Sequence, residues 1–244
     1  MSKITLDVAE NCACKLRLEL QLSQTEPINV KTVLRMLRIV ALYKPLSDGL
    51  YGLSVKSADE RFRFMLINCN STRGRQHFTV AHELYHLYYD PNPSPHFCNE
   101  AYSDDSERSA NLFARSLLLP RQGLIKAIPD DELQSGSVSL TTILNLEALF
   151  GVSHQMLVIR LKELKLISQS LCERLMALKI KQEASLRGFD TDLYSKGNEG
   201  LVLGDFGAKA RELFEKDLIS EGHYVELLRK IGYGCGESED CVGC

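Results

Sequence analysis

Two histidines four residues apart, with a glutamate directly after the first, stand in the stretch Arg73 to Asp90, RGRQHFTVAHELYHLYYD. On a helix, positions four apart share a face, with Cβ atoms about 5–6 Å from each other. His82 and His86 at that spacing suit one Zn²⁺, each giving a neutral ring nitrogen at roughly 2.0–2.1 Å. Glu83 follows the first ligand, so its carboxylate can flank the ion rather than bind it and serve as general base toward a metal-activated water. The pattern H-E-x-x-H is specific for its length, but two of its five positions are open, and the surroundings have to decide.

A water-activating zinc site needs a third protein ligand and an open position. Beyond His86 the segment DPNPSPHFCNEAYSDD reads as a loop. The next stretch, SERSANLFARSLLLP, repeats Ala110, Phe113, Ala114 and Leu117 at helical steps. Glu107 lies at its start and Asn111 one turn on. Taken alone, Glu107 suits an acid complementing a helix N-terminus. The two histidines require a mate within this distance, so Glu107 is the expected third ligand. Asn111 then hydrogen-bonds a ligand histidine and fixes its tautomer. In the loop, His96 and Cys98 are candidates for the open position, His96 as a donor to a developing oxyanion and Cys98 as an inhibitory fourth ligand. Tyr88, Tyr89 and Tyr102 are further candidate donors.

RQHFTVAHELYH followed by ERSANLFARSLLLP resembles the ImmA/IrrE family of bacterial metallopeptidases. Arg75, Phe78, Thr79, Ala81, His82, Glu83 and His86 match the family's first motif. Glu107, Ala110, Asn111, Phe113, Ala114, Leu117, Leu118 and Pro120 match its second. Tyr85 and Ser109 depart from the pattern, where small and acidic residues are common, and neither touches the ligand set. The resemblance covers the chain to about Ile167. It implies an α+β fold with a zincin-like core, and a zinc-dependent endopeptidase of the gluzincin type, with Zn²⁺ (or Mn²⁺) as the ion. It also implies the substrate, a helix-turn-helix transcriptional repressor cut to derepress its genes, as in a stress response. The alternatives are a non-catalytic DNA-binding regulator and an antitoxin-like interaction protein on the same scaffold.

The elements that must position these residues follow from periodicity. An apolar helix is expected from Leu6 to Leu22, with Cys12 and Cys14 as small buried thiols. Pro27 opens a second short helix through Asn29 to Leu37. Strand-like runs cover Arg38 to Tyr43, Gly49 to Lys56 and Arg61 to Asn68, with SDG and SADE as turns. The third run leads into the histidine helix. It is either an ordinary interior strand or one that receives an extended substrate by strand addition, and the sequence leaves both open.

After Pro129, DDELQSGS reads as a polar break. Then SLTTILNLEALFGVS and HQMLVIRLKELKLIS form two apolar-periodic helices around Gly151, the form of a helix-turn-helix. His154, Gln155 and Arg160 are a thin set for reading bases, with no basic stripe around them. A hairpin that packs on the core or docks a protein substrate suits the charge better. A helix follows from Gln169 to Lys181, then irregular chain from Arg187 to Gly207. A last helix pair covers Ala208 to Lys216 and Glu221 to Ile231. Cys235, Cys241 and Cys244 lie in an acidic tail without the second pair of ligands a zinc site wants. The expected division is a zincin-like domain over 1–130, a helix-turn-helix-like region over 131–184 and a helical, Cys-tailed segment over 185–244.

Composition bounds the classes. With 244 residues the chain can bury roughly 70–75% of its unfolded surface without disulfide staples. A net charge of −3 implies no general attraction to nucleic acid or to an anionic membrane. No run approaches the roughly 20 apolar residues of a membrane span. The polar start MSKITLDVAE lacks a signal-like apolar stretch, so the expectation is a cytoplasmic protein whose eight cysteines are reduced thiols.

Overall fold

The structure is a computed structural model that describes residues 5–90, the backbone of 96–99, and residues 105–230. Two helices, α1 (Leu6–Glu19) and α2 (Val30–Met36), precede three strands, β1 (Val40–Lys44), β2 (Leu50–Lys56) and β3 (Arg63–Asn68). Asn29 caps α2, its side-chain oxygen accepting from the amides of Lys31 and Thr32. The helix therefore begins at Val30, later than Pro27 suggests. Cys14 and Leu18 of α1 are exposed, so the buried face is Ala9, Ala13, Leu16 and Arg17, and one of the two expected buried thiols faces solvent.

The histidine helix α3 (Arg73–Tyr88) follows β3, and β4 (His96–Asn99) interrupts the segment read as loop. The described strands form one mixed sheet in the order β4-β2-β3-β1-β5. β3 runs parallel to β1 and antiparallel to β2, so it is an interior strand. That removes strand addition at β3, because both of its edges are already paired. β5 (Val202–Leu203), inside the stretch read as irregular, pairs antiparallel with Ala41 and Leu42 at the far edge.

Then come α4 (Asp105–Leu118), α5 (Arg121–Ala127), α6 (Asp130–Ser135), α7 (Leu140–Phe150), α8 (His154–Glu163), α9 (Gln169–Met176) and α10 (Ile180–Leu186). The polar DDELQSGS is thus the short helix α6, ended by Gly136 in the left-handed conformation at φ 63°. The single helix expected over 169–181 is two, broken at Ala177–Lys179. A 3-10 turn (Asp192–Tyr194) and the pair α11 (Phe206–Glu215) and α12 (Glu221–Lys230) complete the described chain. The architecture is α+β, as expected. Among the described residues no single helix is long and apolar enough to cross a membrane.

α3 lies between the sheet and α4, packing on β2 and β3 with one side and on α4 with the other. It is buried along nearly its whole length, from Thr79 through Leu87 without a break. A helix enclosed in this way must satisfy its polar residues within the protein. Ala110, Phe113, Ala114 and Leu117 of α4 meet it as the periodicity predicts, each at most 1% exposed. The end of α4 is held by two buried cations. Arg17 of α1 donates to the Leu117 carbonyl through Nε at 3.0 Å and Nη2 at 2.6 Å. Arg160 of α8 donates through Nε to the Leu119 carbonyl at 3.1 Å and pairs with Glu10 at 2.7 Å. Both complement the negative end of the helix dipole. Burial lowers Arg17 to about 10, which leaves it charged at neutral pH.

Candidate metal centre

His82 and His86 stand on successive turns of α3 and are 1% and 5% exposed. Each ring is oriented through Nδ1. His82 Nδ1 lies 3.2 Å from Asn111 Oδ1, and His86 Nδ1 lies 2.8 Å from Asp90 Oδ2. Oxygen acceptors at these positions hold the Nδ1–H tautomer, which turns the Nε2 lone pair inward. The two Nε2 atoms are 3.2 Å apart. Glu107, 4% exposed in the first turn of α4, brings Oε2 to 3.3 Å from His82 Nε2 and Oε1 to 3.7 Å from His86 Nε2.

Three electron-pair donors therefore converge in a buried place, with ligand atoms all within 4.8 Å of one another. Such groups repel unless a cation lies between them. Ligands at roughly 2.0–2.2 Å from a tetrahedral zinc ion are about 3.4 Å apart. The observed separations of 3.2, 3.3 and 3.7 Å bracket that figure, and the donor set fits a divalent ion.

Two groups around this cluster escaped the sequence reading. Asp90 lies one turn beyond His86 and also accepts a hydrogen bond from Ser106 Oγ at 2.6 Å, which joins the end of α3 to the start of α4. The i,i+4 spacing from His86 was available as a signal. Ser54 of β2 donates to Glu83 Oε2 at 2.5 Å, and both residues are buried. Nothing in the sequence links positions 29 residues apart on different elements. β2 comes this close because of Gly52, where an added Cβ would stand 2.6 Å from Thr79 Cγ2 and 3.4 Å from Glu83 Oε1. A side chain there would wedge strand from helix.

The remaining candidates separate from the cluster. Tyr89 donates to the Cys12 carbonyl at 3.2 Å, and the Tyr88 ring lies under Arg63 at 4.6 Å. Tyr89 is thereby engaged with α1 rather than offered to a substrate. The backbones of His96 and Cys98 pair with Ser54 and Gly52 across β2 and β4. Their side chains, and Tyr102, lie outside the described residues.

The pair α7 and α8 bends by 107°, within the range of helix-turn-helix units. Its turn rests on the metal-site helix: His77 Nδ1 donates to the Gly151 carbonyl at 2.7 Å. Of the three groups available for reading bases, two are consumed inside the protein. Arg160 is 0% exposed at the end of α4. His154 bonds Glu147 Oε1 at 2.6 Å and the Leu175 carbonyl at 2.8 Å, and Tyr194 donates to Glu147 Oε2 at 2.5 Å. Burial disfavours the charged ring of His154, but the Glu147 carboxylate and the Leu175 carbonyl outweigh it and raise its pKa.

The family model for the IrrE N-terminal-like domain, peptidase M78, matches residues 37–162, which include α3, α4, α7 and all of α8 but Glu163. No curated protein matches the chain.

Proposed function

The chain belongs to the peptidase M78 family of IrrE N-terminal-like domains, and from that membership and the His82–His86–Glu107 cluster we propose that it is a zinc-dependent endopeptidase whose substrate is a helix-turn-helix transcriptional repressor. The observation that carries the metal reading is the convergence of two inward Nε2 lone pairs and one carboxylate at separations that suit a single ion. His82, His86 and Glu107 would hold the ion, with a glutamate third ligand as in gluzincins; Mn²⁺ is the alternative metal. When bound, the ion supplies Lewis acidity toward a water and the scissile carbonyl.

The protein's own residues do the rest. Glu83 takes a proton from the attacking water and passes it to the leaving amine nitrogen. Ser54 holds one carboxylate oxygen of Glu83 and so fixes its orientation. Asn111 and Asp90 keep both ligand rings in the tautomer that binds metal. The burial of these groups strengthens each electrostatic contact. Cutting the repressor would release its genes, which gives the chain a role in transcription regulation and stress response.

A DNA-binding role for the α7–α8 pair gains no support from its side chains, since His154 and Arg160 are committed inside the fold. The test is incubation of the metal-loaded protein with any helix-turn-helix repressor encoded beside it, followed by intact-mass analysis. One cut by the wild type is expected. Glu83→Gln should retain the metal and lose roughly 10²–10⁴-fold in rate. An intact repressor would remove the substrate assignment, and equal cutting by both proteins would remove Glu83 as base.

A further inference from the structure

Two cavities share walls along the side of the molecule that leads away from the metal cluster. The smaller, about 180 Å³, is bordered by Asn111, which orients His82, and by Phe78 and Arg75. The larger, about 1040 Å³, opens between the start of α3 and the helices α9 and α10. Arg75, Ser153 and Gln155 border both, so the two adjoin as one groove whose nearer end reaches Asn111, the residue that orients His82. Its volume is at the upper end of what small-molecule sites span, roughly 300–1,000 Å³, and it is open along its length.

The lining has a definite chemistry. Met176, Ile180 and Leu186 supply an apolar wall, and Leu186 is 74% exposed. Arg75, Lys179 and Lys181 supply positive charge, Arg115 on the smaller cavity is paired with Glu163 at 2.7 Å, and no carboxylate among the described residues lines either cavity. Lys179 and Lys181 have no ion-pair partner among the described residues; Lys181 donates only to Ser195 Oγ at 3.0 Å. The Arg75 guanidinium lies 3.7 Å over the Tyr51 ring, and its buried Nε has no hydrogen-bond partner among the described residues. A basic, apolar groove in a chain of net charge −3 is a local concentration of charge against the overall sign.

We infer that this groove is the docking site for an acidic, leucine-type segment of the polypeptide substrate, flanking the bond to be cut. Carboxylates on the segment would pair with Arg75, Lys179 and Lys181, and its apolar side chains would cover Met176 and Leu186. A nucleic acid fits less well, because the apolar wall offers nothing to phosphate and three cations are few for a duplex. The inference rests on the peptidase reading for the identity of the occupant, but binding can be read without cleavage.

The test uses the full chain carrying Glu83→Gln and a fluorescent peptide of repeating Asp-Leu-Glu-Leu, with a Lys-Leu-Lys-Leu peptide and a Ser-Gly peptide beside it. Anisotropy should show the acidic peptide bound roughly tenfold tighter than the basic one, as expected of a few exposed ion pairs. Lys179→Glu with Lys181→Glu should invert that order; both side chains are exposed, so the fold is kept. Lys162→Glu with Lys165→Glu, equal in charge but outside the groove, should leave it unchanged. Equal binding of the three peptides, or a mixed-sequence duplex that outcompetes the acidic peptide, would overturn the proposal. Quenched versions of the same peptides, given to the metal-loaded wild type, separate the two readings. Acid-selective binding to Glu83→Gln beside a repressor that the metal-loaded wild type leaves intact keeps the groove and removes the peptidase substrate; hydrolysis indifferent to flanking charge does the reverse.

Discussion

Replacing Asp90 with Ala should weaken metal binding without touching a ligand. Asp90 Oδ2 accepts from His86 Nδ1 at 2.8 Å and from Ser106 Oγ at 2.6 Å, so the substitution frees the ring to rotate and unties α3 from α4. Loss of such an orienting partner costs about 10–100-fold in metal affinity, or about 1.4–2.7 kcal/mol. The same figure appears as stability, because a ligand bound only by the native state stabilises it by RT ln(1 + [L]/Kd). At saturating Zn²⁺ the wild type should therefore rise further in melting temperature than Asp90→Ala, by roughly 5 °C for a chain of this size. Competition against a chromophoric chelator measures the affinity directly. Asp90→Asn, which keeps an acceptor oxygen, should fall between the two, and Ser106→Ala should lose at most a few-fold. An Asp90→Ala protein that holds Zn²⁺ as tightly as the wild type would show that Asp90 does not fix the His86 tautomer or turn its Nε2 lone pair inward.

Three more outcomes follow from the same geometry. Glu107→Gln keeps the shape but removes the anionic ligand, so elemental analysis should find occupancy sharply reduced; full occupancy would assign the third ligand to another acid. Gly52→Ala forces β2 from α3 against a contact of 2.6 Å, and should cost about 1–3 kcal/mol in urea unfolding, with unchanged stability as the contrary result. His154 has a raised pKa, so its pairing with Glu147 stabilises fully below its unfolded value of about 6.5 and is lost as pH rises through the higher native value. In chelator-treated protein the urea midpoint of the wild type should fall between pH 6 and pH 8.5 more than that of His154→Gln, and parallel curves would refute it.

The parts of the site that the sequence made legible are those written on one helix at a time. His82, Glu83 and His86 are fixed relative to each other by helical geometry alone, and Glu107 and Asn111 repeat the same arithmetic on α4. Ser54 was not legible, because its approach to Glu83 depends on β2 lying against α3, a tertiary fact enabled by one glycine. β4 and β5 were missed for a related reason. Each is short, and each is a strand only because β2 or β1 offers it a ladder. The alternation in β3 marks a strand without saying which strands flank it, so interior and edge placement could not be told apart. Arg160 and His154 look like surface groups of a recognition helix when read alone. They are buried because α4 and α9 end beside them, which no local pattern announces.

The two arginines at the end of α4 bear on where this chain can be divided. The family match begins at residue 37, yet the Leu117 carbonyl is held by Arg17 and the Tyr89 hydroxyl by the Cys12 carbonyl, both contributed by α1. A fragment cut to the matched span would lose these hydrogen bonds, at about 0.5–1.5 kcal/mol each with water in place of α1. It would also uncover the face of α4 that α1 covers. The smallest autonomous unit therefore reaches back to Leu6. The chemistry sits in the middle of the chain, but its support begins at the first helix.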